Sequence, residues 1–145
     1  MALEQATDRA PHWPVATYAA ILEGEGAAIR RRCLIVAMSA EGDASQAEGK
    51  LVGFAVAACM GRVAEIESVV VEASSRRTGI GRALCAAILE WCRSQGAAEV
   101  VLEVRAGSAD AIALYAGLDF VETGRRARYY SEPEEDAILM QRGLP

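Results

Sequence analysis

The stretch EIESVVVEASSRRTGIGRALCAAILEWCRSQ, Glu65 to Gln95, changes character twice, and those two changes decide the fold. Its first part, ending in Val69-Val70-Val71, is rich in β-branched residues and reads as a strand. A small-residue and arginine-rich loop follows, Ser74-Ser75-Arg76-Arg77-Thr78-Gly79-Ile80-Gly81. From Gly79 to Gln95 the period becomes helical. Leu84, Cys85, Ile88, Leu89 and Cys92 share one face, Arg82, Glu90 and Arg93 lie elsewhere, and Gly96 is placed to end the helix.

Working outward, His12-Trp13-Pro14 opens a helix over Val15 to Leu22 that ends at Gly24, and a second short helix reads from Ala27 to Arg31. Cys33 to Met38 and Leu51 to Met60 read as strands joined by a polar loop, Glu41 to Gly49. The strand Glu65 to Val71 follows the turn at Gly61-Arg62. After the central helix come a strand over Val100 to Val104 and a short helix over Ala109 to Ala116, with Ser108 as its cap. Strands near Phe120 to Thr123 and Ala137 to Gln141 complete the chain. A hairpin followed by β-α-β-α-β-β predicts an α/β sheet with helices on its faces. With 145 residues, no internal repeat and no linker, residues 1–145 are expected to form one domain.

Apolar residues make up 52% of the chain and charged ones 24%, which excludes a disordered or fibrous class. No apolar run approaches the roughly 18 residues that span a bilayer, and Glu4 and Asp8 do not suit a secretory leader. Cys33, Cys59, Cys85 and Cys92 lack C-x-x-C spacing and sit among apolar residues, so reduced buried thiols and a cytoplasmic location are expected. His12 is too isolated to anchor a triad or a metal site, and no metal is expected. A net charge of −5 argues against nucleic acid as a ligand. Basic charge is nonetheless clustered, at Arg30-Arg31-Arg32, at Arg76, Arg77 and Arg82, and at Arg125, Arg126 and Arg128. Only the middle cluster lies beside a glycine turn.

There, glycines allow positive φ and remove side chains, so that backbone N–H groups can converge on an anion at a helix N-terminus. Arg76, Arg77 and Arg82 add charge and Thr78 a hydroxyl, a set that suits a pyrophosphate. A P-loop is excluded because no lysine follows the second glycine, and the dinucleotide fingerprint because its third glycine is missing. An arginine-rich helix start with ordinary capping glycines accounts for the spacing equally well.

Arg76-Arg77-Thr78-Gly79-Ile80-Gly81 matches (Q/R)-x-x-G-x-(G/A), and the chain here resembles the GCN5-related N-acetyltransferase (GNAT) superfamily. Leu102-Glu103-Val104-Arg105-Ala106, Ala111-Ile112-Ala113-Leu114-Tyr115 and Leu118-Asp119-Phe120 resemble the LEVRxxNxxAIxLYxxxGF block of its RimI branch. Tyr129-Tyr130 and Glu135-Asp136-Ala137-Ile138-Leu139-Met140 resemble that branch's ending. The similarity runs from Leu51 to Met140. Before that, only His12-Trp13-Pro14 matches, and the family's first strand has no counterpart. Ser108 replaces an asparagine, and Asp119 replaces the glycine of the GF pair, where a left-handed φ is still tolerated.

The resemblance implies a mixed, mostly antiparallel sheet flanked by helices, acetyl-coenzyme A as co-substrate, and a peptide or protein N-terminus as acceptor. In the RimI branch that acceptor is the N-terminal alanine of a small-subunit ribosomal protein. No membrane is implied, and the protein is expected as a monomer or weak dimer. Coenzyme A would lie on Arg76, Arg77, Thr78, Gly79, Ile80, Gly81 and Arg82, with Ser108, and its pantetheine arm would run against Val69, Val70 and Val71, which are core valines at the same time. Glu103 interrupts an apolar strand, where an ion-paired carboxylate and a general base are both possible, and the resemblance favours the base. Tyr115 beside Ile112 and Leu114 reads as core packing, and the resemblance makes it the acid that protonates the leaving thiolate. Tyr129, Tyr130 and Glu135, with Glu134 and Asp136, would wall the acceptor cleft, although such residues are also common in surface hairpins. Two other functions fit the same motifs: acetylation of a small-molecule amine, and a non-catalytic acyl-coenzyme A-binding module.

Overall fold

A computed structural model of the chain describes Leu3 and residues 13–23, 30–40 and 49–145. In chain order its elements are α1 (Val15–Glu23), β1 (Arg31–Met38), β2 (Leu51–Met60), β3 (Val63–Val71), a 3-10 turn (Ala73–Ser75), α2 (Ile80–Ser94), β4 (Glu99–Arg105), α3 (Ala109–Ala116), β5 (Val121–Ser131) and β6 (Glu134–Gly143). The strands form one six-stranded sheet in the order β1-β2-β3-β4-β6-β5. Only β3 and β4 are parallel, because α2 carries the chain across the sheet between them. The mixed, mostly antiparallel sheet expected from the sequence is the one observed.

Each face of the sheet has its own core. On one face α2 seats Leu84, Cys85, Ile88, Leu89 and Cys92 against Ala55, Ala57, Ile66, Val100 and Leu102, and Tyr115, Leu118 and Phe120 complete that cluster. On the other face Tyr18 of α1 packs on Phe54, Val56 and Val70, with Trp13, Ile21 and Leu34 around them. Their rings stack in sequence, Trp13 to Tyr18 at 5.6 Å and Tyr18 edge-on to Phe54 at 5.9 Å. β2 lies between both layers and is buried from Val52 to Cys59, so its sequence is an unbroken apolar run.

Two features set up the site. First, β3 carries a bulge: Val56 of β2 faces Ser68 and Ala57 faces Ile66, leaving Glu67 without an opposite residue in β2. Second, β3 and β4 pair only from Val63 with Glu99 to Ile66 with Leu102. Beyond that rung β3 stays on β2 as far as Val71, and β4 stays on β6 as far as Arg105. The two strands therefore part, and a wedge opens in the middle of the sheet.

Several boundaries differ from the sequence reading. Arg31 begins β1 instead of closing a helix, because it pairs with Cys59. The remainder of that expected helix, His12, most of the Glu41–Gly49 loop and the region ahead of α1 where the family's first strand would lie fall outside the described residues. β5 and β6 extend well past Phe120–Thr123 and Ala137–Gln141. β5 is an edge strand exposed along most of its length, so backbone pairing to β6, with no apolar alternation, defines it. Asp119 does adopt a left-handed φ of 63°.

Ile88 is completely buried between α2 and the sheet. Ile88→Ala is expected to cost about 2–5 kcal/mol, read as a lower urea midpoint at unchanged slope. A loss well under 1 kcal/mol, on the scale of surface substitutions, would show that α2 is not seated as described.

Candidate active site

Val71 delivers the chain from the wedge into the glycine loop. Arg76 Nε donates to the Val71 carbonyl at 3.2 Å, and Thr78 Oγ1 donates to the Ser75 carbonyl at 2.6 Å, so both side chains brace the loop. Arg77 and Gly79 take positive φ values of 64° and 88°, and Gly79 is the N-cap of α2. As a glycine, Gly79 makes no side-chain cap to that end. A Cβ on Gly81 would lie 3.4 Å from Leu114 and 3.8 Å from Val71, which brings α3 and β3 close to the helix start. Arg76, Arg77 and Arg82 are exposed around it, with Arg77 held only loosely, 3.5 Å from an equally exposed Asp110. Exposed arginines, open backbone donors and the partial positive charge of a 15-residue helix suit a pyrophosphate. Ser108 occupies the N-cap position of α3, and its carbonyl accepts from Ile112 at 3.0 Å, but its hydroxyl does not cap the helix as expected.

At the other end of the wedge, Glu103 is the first residue of β4 beyond the last rung to β3. Its side chain is 25% exposed on the face away from α2, since its neighbours Leu102 and Val104 are in the α2-side core. Arg126 Nε lies 3.2 Å from its carboxylate, and the Tyr129 hydroxyl donates to it. That hydrogen bond, more than any other influence, holds the Tyr129 phenol above its usual pKa. β5 slips register between Arg126 and Tyr130, with Arg128 at a φ of 51° and its N–H bound to Asp136 at 2.9 Å. The slip lets Arg126 and Tyr129, from the edge strand, reach Glu103 two strands away. Tyr129 packs edge-on against Tyr130 at 5.1 Å, and the Arg105 guanidinium lies 4.0 Å from the Tyr130 ring. Glu135 is committed to this support: it pairs with Arg105 at 3.3 Å and accepts from the Gly107 N–H.

Tyr115 sits on α3 in the α2-side core, 8% exposed and edge-on to Phe120 at 5.8 Å. Burial, with smaller contributions from Cys85 and Tyr130, pushes its phenol well above the ordinary range, so it holds its proton. Burial likewise raises the Cys85 and Cys92 thiols to about 12 and Cys33 to about 11, leaving them inert. Among the described residues no group of histidine, cysteine and carboxylate side chains could hold a metal ion. No described helix is long and apolar enough to cross a membrane.

Sequence reasoning passed over Glu65, Glu67, Arg30, Arg32 and Arg126. Arg30 joins Glu65 at 3.2 Å and also Glu67, and Arg32 reaches Glu67 at 2.8 Å. Two carboxylates two residues apart in an apolar strand were the available signal. The arginines that match them come from the start of β1 and the residue before it, beyond any local pattern.

Residues 2–120 match the family model of the Acetyltransferase (GNAT) family. Over 94 residues the chain is 38% identical to the ribosomal protein bS18-alanine N-acetyltransferase of Escherichia coli, covering 63% of this chain and 64% of that protein. It is 36% identical over 98 residues to the N-alpha-acetyltransferase RimI of Mycobacterium tuberculosis, covering 65% of this chain and 60% of that one. The chain thus spans less than two thirds of the length of these relatives. The crystal structure of the Escherichia coli enzyme superposes with a TM-score of 0.77 at 31% identity, over 99% of this chain and 84% of that one. With the split sheet, the glycine loop and this similarity in agreement, the chain belongs to the Acetyltransferase (GNAT) family, in its RimI-type branch.

Proposed function

We propose that this protein transfers the acetyl group of acetyl-coenzyme A to the α-amino group of a protein N-terminus, with the N-terminal alanine of a small-subunit ribosomal protein as the acceptor. The observation that carries the reading is the wedge between β3 and β4, with the glycine loop at its open end and Glu103 where the strands part. The similarity to an alanine N-acetyltransferase of a ribosomal protein supports the choice of acceptor.

Arg76, Arg77, Arg82 and the N–H groups from Thr78 to Gly81 would hold the pyrophosphate, with Ser108 nearby on α3. The exposed β3 edge at Val69, Val70 and Val71 would take the pantetheine arm by backbone hydrogen bonds. The bound co-substrate supplies an acetyl thioester, whose C–S bond breaks as the N–C bond forms. Glu103 removes the proton of the attacking ammonium, directly or through water. An α-amino group, with a reference pKa of about 8, needs only modest help from a carboxylate. Tyr115 gives its proton to the departing thiolate and recovers one from solvent. Tyr129 and Tyr130 wall the acceptor side, and Glu135 keeps Arg105 and the loop at Gly107 in place behind them.

Four outcomes test this. In a panel of peptides differing at the first residue, alanine-led peptides should release thiol from acetyl-coenzyme A fastest. Release with polyamines or amino acids but none with an alanine-led peptide would transfer the reading to a small-molecule acceptor. Glu103→Gln should lower kcat/KM by about 10²–10⁴-fold while leaving acetyl-coenzyme A binding intact, and unchanged turnover removes Glu103 as the base. Tyr115→Phe should lower kcat about 10–100-fold with an unchanged KM for acetyl-coenzyme A. Because the Tyr115 pKa is raised, the acid form persists upward in pH. The wild-type kcat profile should therefore rise with amine deprotonation and show no falling limb below about pH 10, the ordinary tyrosine value.

A further inference from the structure

Glu67 is the group that this mechanism leaves unused. Ile66 with Leu102 is the last rung joining β3 to β4, so Glu67 and Glu103 are the first residues beyond it, one on each strand. Both face away from α2. Ile66, Leu102 and Val104 pack in the α2-side core, whereas Glu67 meets Arg32, whose guanidinium lies 6.0 Å from the Trp13 ring on the α1 side. The same face brings Glu65 within the field of both Glu67 and Glu103.

The Glu67 side chain is only 7% exposed, and its two oxygens are treated differently. Oε1 accepts from Arg30 and, at 2.8 Å, from Arg32. Oε2 is buried with no hydrogen-bond partner among the described residues. A buried carboxylate oxygen without a donor is costly, and a structural ion pair would be expected to use both oxygens. Arg30 is 45% exposed and also spans to Glu65, so a single guanidinium near the protein surface bridges two carboxylates and covers them. That arrangement marks a position for a cation, filled by one that another cation can displace.

We propose that Glu67 is a specificity-determining residue of the acceptor site: its carboxylate, with Oε2 still unpartnered, receives the α-ammonium group of the acceptor in place of the Arg30 guanidinium, which holds Oε1 until the acceptor arrives. The inference rests on the N-terminal acetyltransfer reading and divides the work at the wedge. Glu67, held by Arg32, places the ammonium, while Glu103 across the wedge takes the proton. An ammonium group offers one full charge and three donors. An acetylated N-terminus offers no charge and a single amide donor, so the product is bound less well than the substrate.

The test compares wild type, Glu67→Gln, Glu67→Asp and Arg30→Gln with an alanine-led peptide at saturating acetyl-coenzyme A. It also measures direct binding of that peptide and of its N-acetylated form. Glu67→Gln should raise the peptide KM about tenfold with kcat changed less than about twofold and the acetyl-coenzyme A KM unchanged, the signature of lost acceptor binding. Glu67→Asp should recover part of that loss, and Arg30→Gln should lower the peptide KM by removing a competing cation. Wild type should bind the free peptide more tightly than the acetylated one, and Glu67→Gln should abolish the difference. A folded Glu67→Gln protein with unchanged peptide KM, or an Arg30→Gln protein with an unchanged or raised one, overturns the proposal, and the second variant decides alone if the first does not fold. Wild type that acetylates no peptide refutes the acetyltransfer reading itself; the binding comparison then judges Glu67, and equal affinity for the two peptides overturns its role.

Discussion

The sheet is continuous only as far as the rung between Ile66 and Leu102, and the rest of the molecule is arranged around the parting beyond it. A parallel pair that separates exposes backbone N–H and C=O groups on two facing edges, and such groups are costly to bury without partners. Here each strand is held firmly from its outer side, β3 by β2 up to Val71 and β4 by β6 up to Arg105. The inner edges are thus free to serve a ligand. The bulge at Glu67 contributes to the divergence by changing which β3 residues face each core: Ala64 and Ile66 face α2 before it, Val69 and Val71 after it, with Ser68 and Val70 turned toward α1.

Charge follows the same geometry. An acidic protein with net charge −5 keeps its arginines exposed at the start of α2, where an anion would bind, and places Glu65, Glu67 and Glu103 on the opposite face, where a cationic acceptor would enter. Burial raises the pKa of Glu65 first, and Glu67 and Glu103 raise it further, against the opposing influence of Arg30. The remaining titratable groups near the wedge are restrained by burial: Tyr115 and the thiols of Cys85, Cys92 and Cys33 all keep their protons.

Much of the fold was legible because its strongest elements carry local signals. The burial period of α2, the apolar run of β2, the alternation of β4 and the left-handed turn at Asp119 are all properties of a few neighbouring residues. β5 was the element read most poorly. Gly124-Arg125-Arg126-Ala127-Arg128 carries no strand pattern, and the segment is a strand only because β6 supplies its hydrogen bonds. The Ser108 hydroxyl was expected at a cap and does not cap, since residue preference describes a position and not the hydrogen bond made there.

The sequence by itself determined the order of elements, the glycine loop from Arg76 to Gly81, and the strand and helix that carry Glu103 and Tyr115, because those depend on period, propensity and a contiguous motif. Tertiary structure alone decided what surrounds them. It brought Arg126 and Tyr129 across from the edge strand to Glu103, tied Glu135 to Arg105, and set Arg30 and Arg32 over Glu67. Those pairs join residues 23 to 37 positions apart, and their distances depend on strand register, on the bulge at Glu67 and on the slip in β5. Register is a collective result of packing both faces of the sheet, and no short stretch of sequence encodes it.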